Sequence, residues 1–311
     1  FIKMRNTCLN EIYRLAKDSK DIIFIGSDLG AGTLSNMKSD LPDQFIMEGI
    51  SEQHIIGMSS GLAMEGFIPY VNSIAPFLTR RCYEQILVDL CLHDLPVRLI
   101  ANGGGVVYAP LGPTHLAVED IAILRAIPNM TIIAPCDADE MLRLMPKTVD
   151  YQHPIYIRLA KGGDKIVSQD DNGFEIGKAI MLREPGDGLF ITTGIMTQKA
   201  MEAANQLADE GIECGILHMH TIKPLDEDAL SVLIPKVQAV VTVEEHIRTG
   251  GLGSAVLEFC NDSLPDHTTK IRRIGIPDRF SDKYGSQDEL LEYWGITVES
   301  MKKMMKSTIQ V

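Results

Sequence analysis

Seven apolar runs constrain this chain more than any other feature of its sequence. They are "DIIFIGS", "VRLIA", "MTIIAP", "IYIRLA", "LFITTG", "ECGILHM" and "AVVTVEE", and they show no regular polar–apolar alternation. A strand buried on both faces reads this way, and sheets covered on both faces are built mainly of parallel strands. Helical patterns lie between the runs. In "FLTRRCYEQILVDLCL", Leu78, Cys82, Ile86, Leu87, Leu90 and Cys91 recur at helical spacing. In "TQKAMEAANQLADEG", Ala200, Ala203, Ala204 and Leu207 share a face, and Gly211 stands where a helix C-cap belongs. The expected fold class is α/β, with two doubly wound domains whose mostly parallel sheets carry helices on both faces.

The stretch "AKGGDKIVSQDDNGFEIGKAIMLREPGDG" breaks the pattern, being rich in Gly, Asp and Lys with little periodicity. It predicts a first domain over residues 1–165, a linker over 166–186 and a second domain over 187–311. Gly186-Asp187-Gly188 at its end reads as a turn before "LFITTG". "ANGGGVVYAP" lacks dinucleotide-fingerprint spacing and reads as a loop at the carboxyl end of "VRLIA", where open α/β sheets bind ligands.

A formal net charge of -13 argues against a nucleic-acid footprint, which needs clustered positive charge. Six scattered cysteines, with no CxxC pair, read as buried free thiols rather than disulfides or a zinc site, and no metal-ligand motif such as HExxH occurs. No apolar stretch approaches the roughly 18 residues of a membrane span. "FIKMRNTCLNEI" lacks a signal-peptide pattern, so a cytoplasmic location is expected.

Glu52 is the first candidate for chemistry. In "MEGISEQHIIGMSSGLAMEG", Ser51 can cap a helix, and a carboxylate in its first turn gains roughly 0.3–1 kcal/mol from the helix dipole. The small residues that follow let another element or subunit approach closely, which would bury that carboxylate. "EGFIPYVNSIAPFLTRRCYEQ" reads as strand, loop and helix, with Phe77 at the loop-to-helix junction. "GPTHLAVEDIAILRAIPNM" puts His115 after a Gly-Pro turn, at the head of another helix.

"GISEQHIIGMSSGLAMEG", "PFLTRRCYEQ" and "GPTHLAVEDIAILRAIPNMTIIAPCDADEM" resemble the pyrimidine-binding domain of transketolase and of 1-deoxyxylulose-5-phosphate synthase. "ITTGIMTQKAMEAANQLADEGIECGILHMHTIKPLD" and "VVTVEEHIRTGGLGSAV" resemble the transketolase C-terminal domain. The resemblance implies the C-terminal subunit of a split transketolase that uses thiamine diphosphate. In such enzymes a GDG that follows a strand, completed by an Asn, opens the loop binding Mg²⁺ and diphosphate. The GDG here precedes its strand and lacks that Asn, so Mg²⁺ and diphosphate would be held mainly by a partner chain. The implied assembly is an α2β2 heterotetramer with the N-terminal, diphosphate-binding subunit, around a homodimer core of this chain.

The resemblance also assigns residues. Glu52 matches the glutamate that contacts N1′ of the cofactor aminopyrimidine, a task that needs a dry site. Phe77 matches the aromatic that stacks on that ring. Arg80 sits where the synthase branch has an arginine and transketolase a tyrosine, and His115 matches the histidine that contacts substrate hydroxyls. Lys161 aligns with an arginine that binds substrate phosphate, and Arg158 is an alternative cation nearby; the competing reading of both is a solvated strand end with no role in binding. Transketolases usually have Asp before the Gly-Pro-Thr-His sequence, whereas this chain has Leu111. The resemblance implies two-carbon ketol transfer from a ketose to an aldose, and loss of that acceptor points to an unusual sugar or sugar phosphate as substrate. Two alternatives remain at this stage: the β subunit of a 2-oxo acid dehydrogenase, and an inactive regulatory subunit.

Overall fold

The computed structural model describes residues 3–27, 32–160 and 165–310. Twelve strands are present among them: β1 (Ile22–Ser27), β2 (Phe45–Glu48), β3 (Ile68–Ile74), β4 (Arg98–Asn102), β5 (Thr131–Ile133), β6 (Ile155–Leu159), β7 (Ile180–Arg183), β8 (Gly188–Thr192), β9 (Cys214–His218), β10 (Thr221–Lys223), β11 (Ala239–Ile247) and β12 (Lys270–Ile276). They form a seven-stranded sheet in the order β10-β5-β6-β4-β3-β1-β2 and a five-stranded sheet in the order β12-β11-β8-β9-β7. Only the edge strands β10 and β7 pair antiparallel. All seven apolar runs contribute strands.

The runs are continuous because each strand feeds two cores. Ile23, Ile25, Leu99, Ala101 and Tyr156 point to one face of the first sheet, and Ile22, Phe24, Ile100, Ile155 and Ile157 to the other. The helix Glu52–Met64 and the helix Asp120–Arg125 cover the first face, and Met4–Asp18 and Ala138–Lys147 cover the second. The second sheet repeats the plan. Phe190, Ile216 and Val241 meet the helices Met196–Asp209 and Val298–Ile309, while Leu189, Ile191 and Val240 meet Leu252–Ser263. The α/β expectation therefore holds for both halves.

The helical segments differ in detail. Met196–Asp209 ends as its sequence predicts. Gly211 takes φ +81°, its N–H donates to the Ala208 carbonyl, and the Ile212 N–H donates to the Leu207 carbonyl. The segment after Phe77 is not a regular α-helix: a 3₁₀ turn (Arg80–Cys82) runs through Tyr83–Gln85 into a π-helix (Ile86–Cys91). Its buried residues Leu78, Cys82, Ile86 and Leu90 recur every four positions. A 3.6-residue turn would rotate them off the core, and the wider π turn compensates.

The segment 166–186 is more structured than its composition suggests, holding the 3₁₀ turn Asp170–Asn172 and the strand β7. Strand β10, from the second half, pairs with β5 of the first sheet. Gly186-Asp187-Gly188 forms a turn: the Asp187 N–H donates to the Glu213 carbonyl at 2.7 Å, and Asp187 Oδ2 accepts the Glu213 N–H at 2.8 Å. All six cysteines are buried and unpaired. No helix among the described residues is long and apolar enough to cross a membrane.

One buried cation braces the first sheet. Arg98 on β4 is fully buried and donates to the carbonyls of Thr148 (2.8 Å), Tyr151 (2.5 Å) and His153 (3.1 Å). Burial lowers its pKa to about 10, and the charge is kept. An Arg98→Ala variant leaves three inner carbonyls without a donor. Urea unfolding is expected to register a loss of about 3 kcal/mol.

Candidate functional site

Glu52 is the first residue of its helix and is only 3% exposed. Ser51 occupies the N-cap position, but its hydroxyl points to the Gly49 carbonyl and caps nothing. The carboxyl is held from the sheet instead. Glu52 Oε1 accepts from Ser27 Oγ at 3.2 Å and from Ser73 Oγ at 3.4 Å. Ser27 ends β1 and Ser73 is near the end of β3, so Glu52 lies over the carboxyl ends of two parallel strands. The helix is brought close by its small residues: Ser60 donates to the Asp89 carbonyl at 2.9 Å, and Gly57 faces the Asp89 carboxylate.

The other oxygen meets a residue that the sequence reading did not single out. Arg81 Nη1 lies 2.9 Å from Glu52 Oε2, and the guanidinium carbon stands 3.8 Å from the centre of the Phe77 ring. Phe77 in turn meets the His115 ring edge-on, with centroids 5.3 Å apart. Glu52, Arg81, Phe77 and His115 thus form one continuous chain of contacts. Arg80 points elsewhere. It donates to the carbonyls of Thr114 and Leu116 and pairs with Glu119, bracing the loop that carries His115. The doublet "RR" was the available signal, and the tight 3₁₀ turn decides which member faces the carboxyl.

His115 does not open a helix. It closes a short 3₁₀ turn (Pro113–His115), and the helix begins only at Asp120. Gly112 before it takes φ +79°, and a Cβ there would come within 2.5 Å of the Tyr284 ring. A side chain from the second half of the molecule therefore presses on the His115 loop. Leu111 is half exposed on the same loop.

Arg158 is not at a solvated strand end. It is 7% exposed and grips fully buried Asp120, with Nε–Oδ2 at 2.7 Å and Nη2–Oδ1 at 3.1 Å. Nη2 also donates to the carbonyls of Ala117 and Glu245. A guanidinium engaged this way is a clamp between the two halves, not a free phosphate-binding cation. Burial works against the Asp120 charge, yet Arg158, with help from His246 and Tyr156, holds its carboxyl below the ordinary value. The Gly-rich loop closes over this pair: a Cβ on Gly104 would clash with Arg158, and one on Gly105 with Glu245. Lys161 lies outside the described residues.

Comparison with known proteins fits this geometry. Residues 2–163 match the transketolase pyrimidine-binding domain and residues 177–301 the transketolase C-terminal domain. The chain belongs to the transketolase family. It is 36% identical to an apulose-4-phosphate transketolase subunit of Phocaeicola vulgatus, over 97% of this chain and 96% of that one. It is 33% identical to the 6-deoxy-6-sulfo-D-fructose transketolase subunit SqwH of Clostridium sp., over 96% and 92%. A 1-deoxy-D-xylulose-5-phosphate synthase of Syntrophus aciditrophicus is 34% identical, but this chain spans only 46% of it. Among solved structures, a split-gene transketolase described as an inactive beta4 tetramer superposes with a TM-score of 0.91 at 32% identity, over 100% of this chain and 99% of that one.

Two outcomes test the clamp. Asp120→Ala strands a buried guanidinium and is expected to cost about 3–5 kcal/mol in urea unfolding. His246, fully buried, is 4.0 Å from Asp120 and 3.8 Å from Glu244. Burial, opposed by Asp120 and aided by Arg158, pushes its pKa from 6.5 down to about 4. Between those values the unfolded chain binds the extra proton, so stability rises with pH across the window. The His246 contribution, on the order of 3 kcal/mol, is complete above pH 6.5 and is lost as pH falls toward 4. Because buried Glu244, raised to about 7, and His220, lowered to about 4, also titrate in this range, the check is the difference: between pH 7 and pH 4 a His246→Gln variant is expected to lose less stability than the wild type.

Proposed function

We propose that this chain is the pyrimidine-binding half of a two-chain, thiamine-diphosphate-dependent transketolase that moves a two-carbon ketol unit from a ketose to an aldose. The observation that carries the reading is the Glu52–Arg81–Phe77 arrangement. A flat guanidinium lies against Phe77 and donates to a buried carboxylate. An aminopyrimidine ring asks for the same two contacts, an aromatic face to stack on and a carboxylate at a ring nitrogen. The residues present therefore fit the group. Glu52 and Phe77 would hold the pyrimidine, and the cofactor would supply the carbanion chemistry.

The chain's own residues have defined tasks. Ser27 and Ser73 fix Oε1 of Glu52 and so turn Oε2 to the Phe77 side. With the cofactor bound, Oε2 would face its ring nitrogen in the place that Arg81 Nη1 takes here, and the fold keeps this carboxyl only 3% exposed. His115, edge-on to Phe77, meets the sugar hydroxyls. Arg80 holds the His115 loop through two carbonyls and Glu119. Arg158 contributes by fixing the sheet ends against the second half. Lys161 remains the candidate cation for a substrate phosphate.

The reading divides the chain into a pyrimidine-binding domain (1–165), a linker (166–186) and a C-terminal domain (187–311). The partner is an N-terminal subunit carrying the diphosphate and Mg²⁺ site, in an α2β2 assembly built on a dimer of this chain. The two subunit relatives, one for apulose-4-phosphate and one for 6-deoxy-6-sulfo-D-fructose, favour such a partner and an unusual sugar. Leu111 supports the same choice, because it offers a substrate hydroxyl no acceptor. The buried free thiols suit a reducing, cytoplasmic compartment.

Reconstitution tests the proposal. The chain alone, with thiamine diphosphate and Mg²⁺, is expected to show no ketol transfer, and activity is expected to appear with a partner that carries GDG followed by Asn. Glu52→Gln in that complex is expected to lower kcat by at least about 10²-fold. Full activity from the chain alone, or an unchanged kcat for Glu52→Gln, overturns the reading.

A further inference from the structure

A second buried cluster, which the proposed reaction does not use, lies where the first sheet meets the second. Cys136 follows β5, Glu140 stands in the first turn of the helix Ala138–Lys147, and His218 closes β9. All three are fully buried. Cys136 Sγ, a Glu140 carboxylate oxygen and a His218 ring nitrogen lie within 4.8 Å of one another. His218 Nε2 is 2.9 Å from Glu140 Oε2, which also accepts the Cys136 backbone N–H at 2.6 Å. Two further polar atoms here are orphans. Glu140 Oε1 and His220 Nε2 are buried without a hydrogen-bond partner. The His220 ring lies 5.8 Å from that of His218, centre to centre.

We propose that this cluster is a structural site for a zinc-class divalent cation, with Cys136, Glu140 and His218 as ligands and a water molecule completing the tetrahedron. The donor set is the first argument: thiolate, imidazole and carboxylate together select a borderline-soft tetrahedral ion over Mg²⁺ or Ca²⁺. Distance is the second. Zinc bonds of about 2.0–2.3 Å put tetrahedral donors roughly 3.3–3.7 Å apart, so these side chains need shift by only about 1 Å. Charge is the third. A divalent cation balances one thiolate and the Glu140 carboxylate, while buried Asp137, 3.5 Å from Sγ, has its own charge met by the Glu140, Val167 and Ser168 N–H groups.

The surroundings support the assignment. His218 Nδ1 is 2.9 Å from Thr197 Oγ1, the outer hydrogen bond that orients a metal-binding imidazole. The Gln198 side chain donates to the Cys136 carbonyl at 2.8 Å. The Glu140–His218 hydrogen bond alone leaves Oε1 without a partner, whereas a bound cation gives it one. On binding, the thiol proton of Cys136 leaves to solvent as the Sγ–metal bond forms, and no electrons are exchanged. The ion would pin the start of the Ala138–Lys147 helix to the end of β9, across the two sheets. Ligands at 136, 140 and 218 match no short spacing motif, so only the fold unites them.

The test uses the full chain, purified without a metal-binding tag from zinc-supplemented medium. Elemental analysis is expected to give one zinc per chain after dialysis. Replacement by Co²⁺ is expected to give tetrahedral visible bands and a thiolate charge-transfer band. Cys136→Ser, which keeps the side-chain shape, is expected to abolish the charge-transfer band while circular dichroism stays native. Added zinc is expected to raise the Tm of the wild-type chain and not that of Cys136→Ser. Folded wild-type chain that takes up no zinc and no cobalt overturns the site, as does a charge-transfer band that survives in Cys136→Ser. None of these readouts depends on transketolase activity.

Discussion

The Arg158–Asp120 pair is the joint on which the candidate site depends. Arg158 stands on β6, Asp120 opens the helix after the His115 loop, and one guanidinium nitrogen also reaches the Glu245 carbonyl in the second half. Both charges are out of water. The desolvation cost is offset by two short hydrogen bonds to the carboxylate and two to carbonyls. Glycines 104 and 105 are needed because any side chain there would occupy the space of Arg158 and Glu245. The pair therefore fixes at once the end of the central strands, the path of the Gly-rich loop and the docking of the second sheet.

The Glu52 pocket is built on that frame. Two serines from neighbouring strands hold one carboxyl oxygen, and Arg81 takes the other while lying on Phe77. Each contact is modest, with an exposed cation–π contact worth about 0.5–1 kcal/mol. Their value is geometric, since together they leave the carboxyl with one orientation. The His115 loop touches this group through Phe77 and is braced further by Arg80 from one side and Tyr284 from the other. Leu111, half exposed at the far end of that loop, is not part of the contact chain to Glu52.

Much of this architecture is legible in the sequence. The seven apolar runs report burial on both faces, a local property of each strand. Of the five strands that the runs do not announce, β2, β7, β10 and β12 lie at sheet edges, and the central β3 is read instead from the strand, loop and helix pattern before Arg81. An edge strand pairs on one side only, so its sequence is under weaker constraint. The irregular turns after Phe77 are hidden because an apolar period of four resembles a helix until the core's demand for register is known. Arg80 and Arg81 are adjacent and chemically identical, and no local rule separates them. The sequence offers Arg158 as a substrate cation or a solvated strand end and not as a clamp, because nothing near it announces Asp120, 38 positions away.

The sequence by itself determined the α/β class, the parallel character of the sheets, the capped end of the Met196–Asp209 helix and the short list containing Glu52, Phe77 and His115. These follow from periodicity, capping chemistry and residue types that act over a few positions. Only the tertiary structure decided which arginine meets Glu52, that Arg158 is a buried clamp, and that Cys136, Glu140 and His218 share one dry pocket. Those outcomes depend on contacts between residues tens of positions apart. Such contacts are set by packing two sheets and their helices to crystal-like density, which no window of the sequence contains.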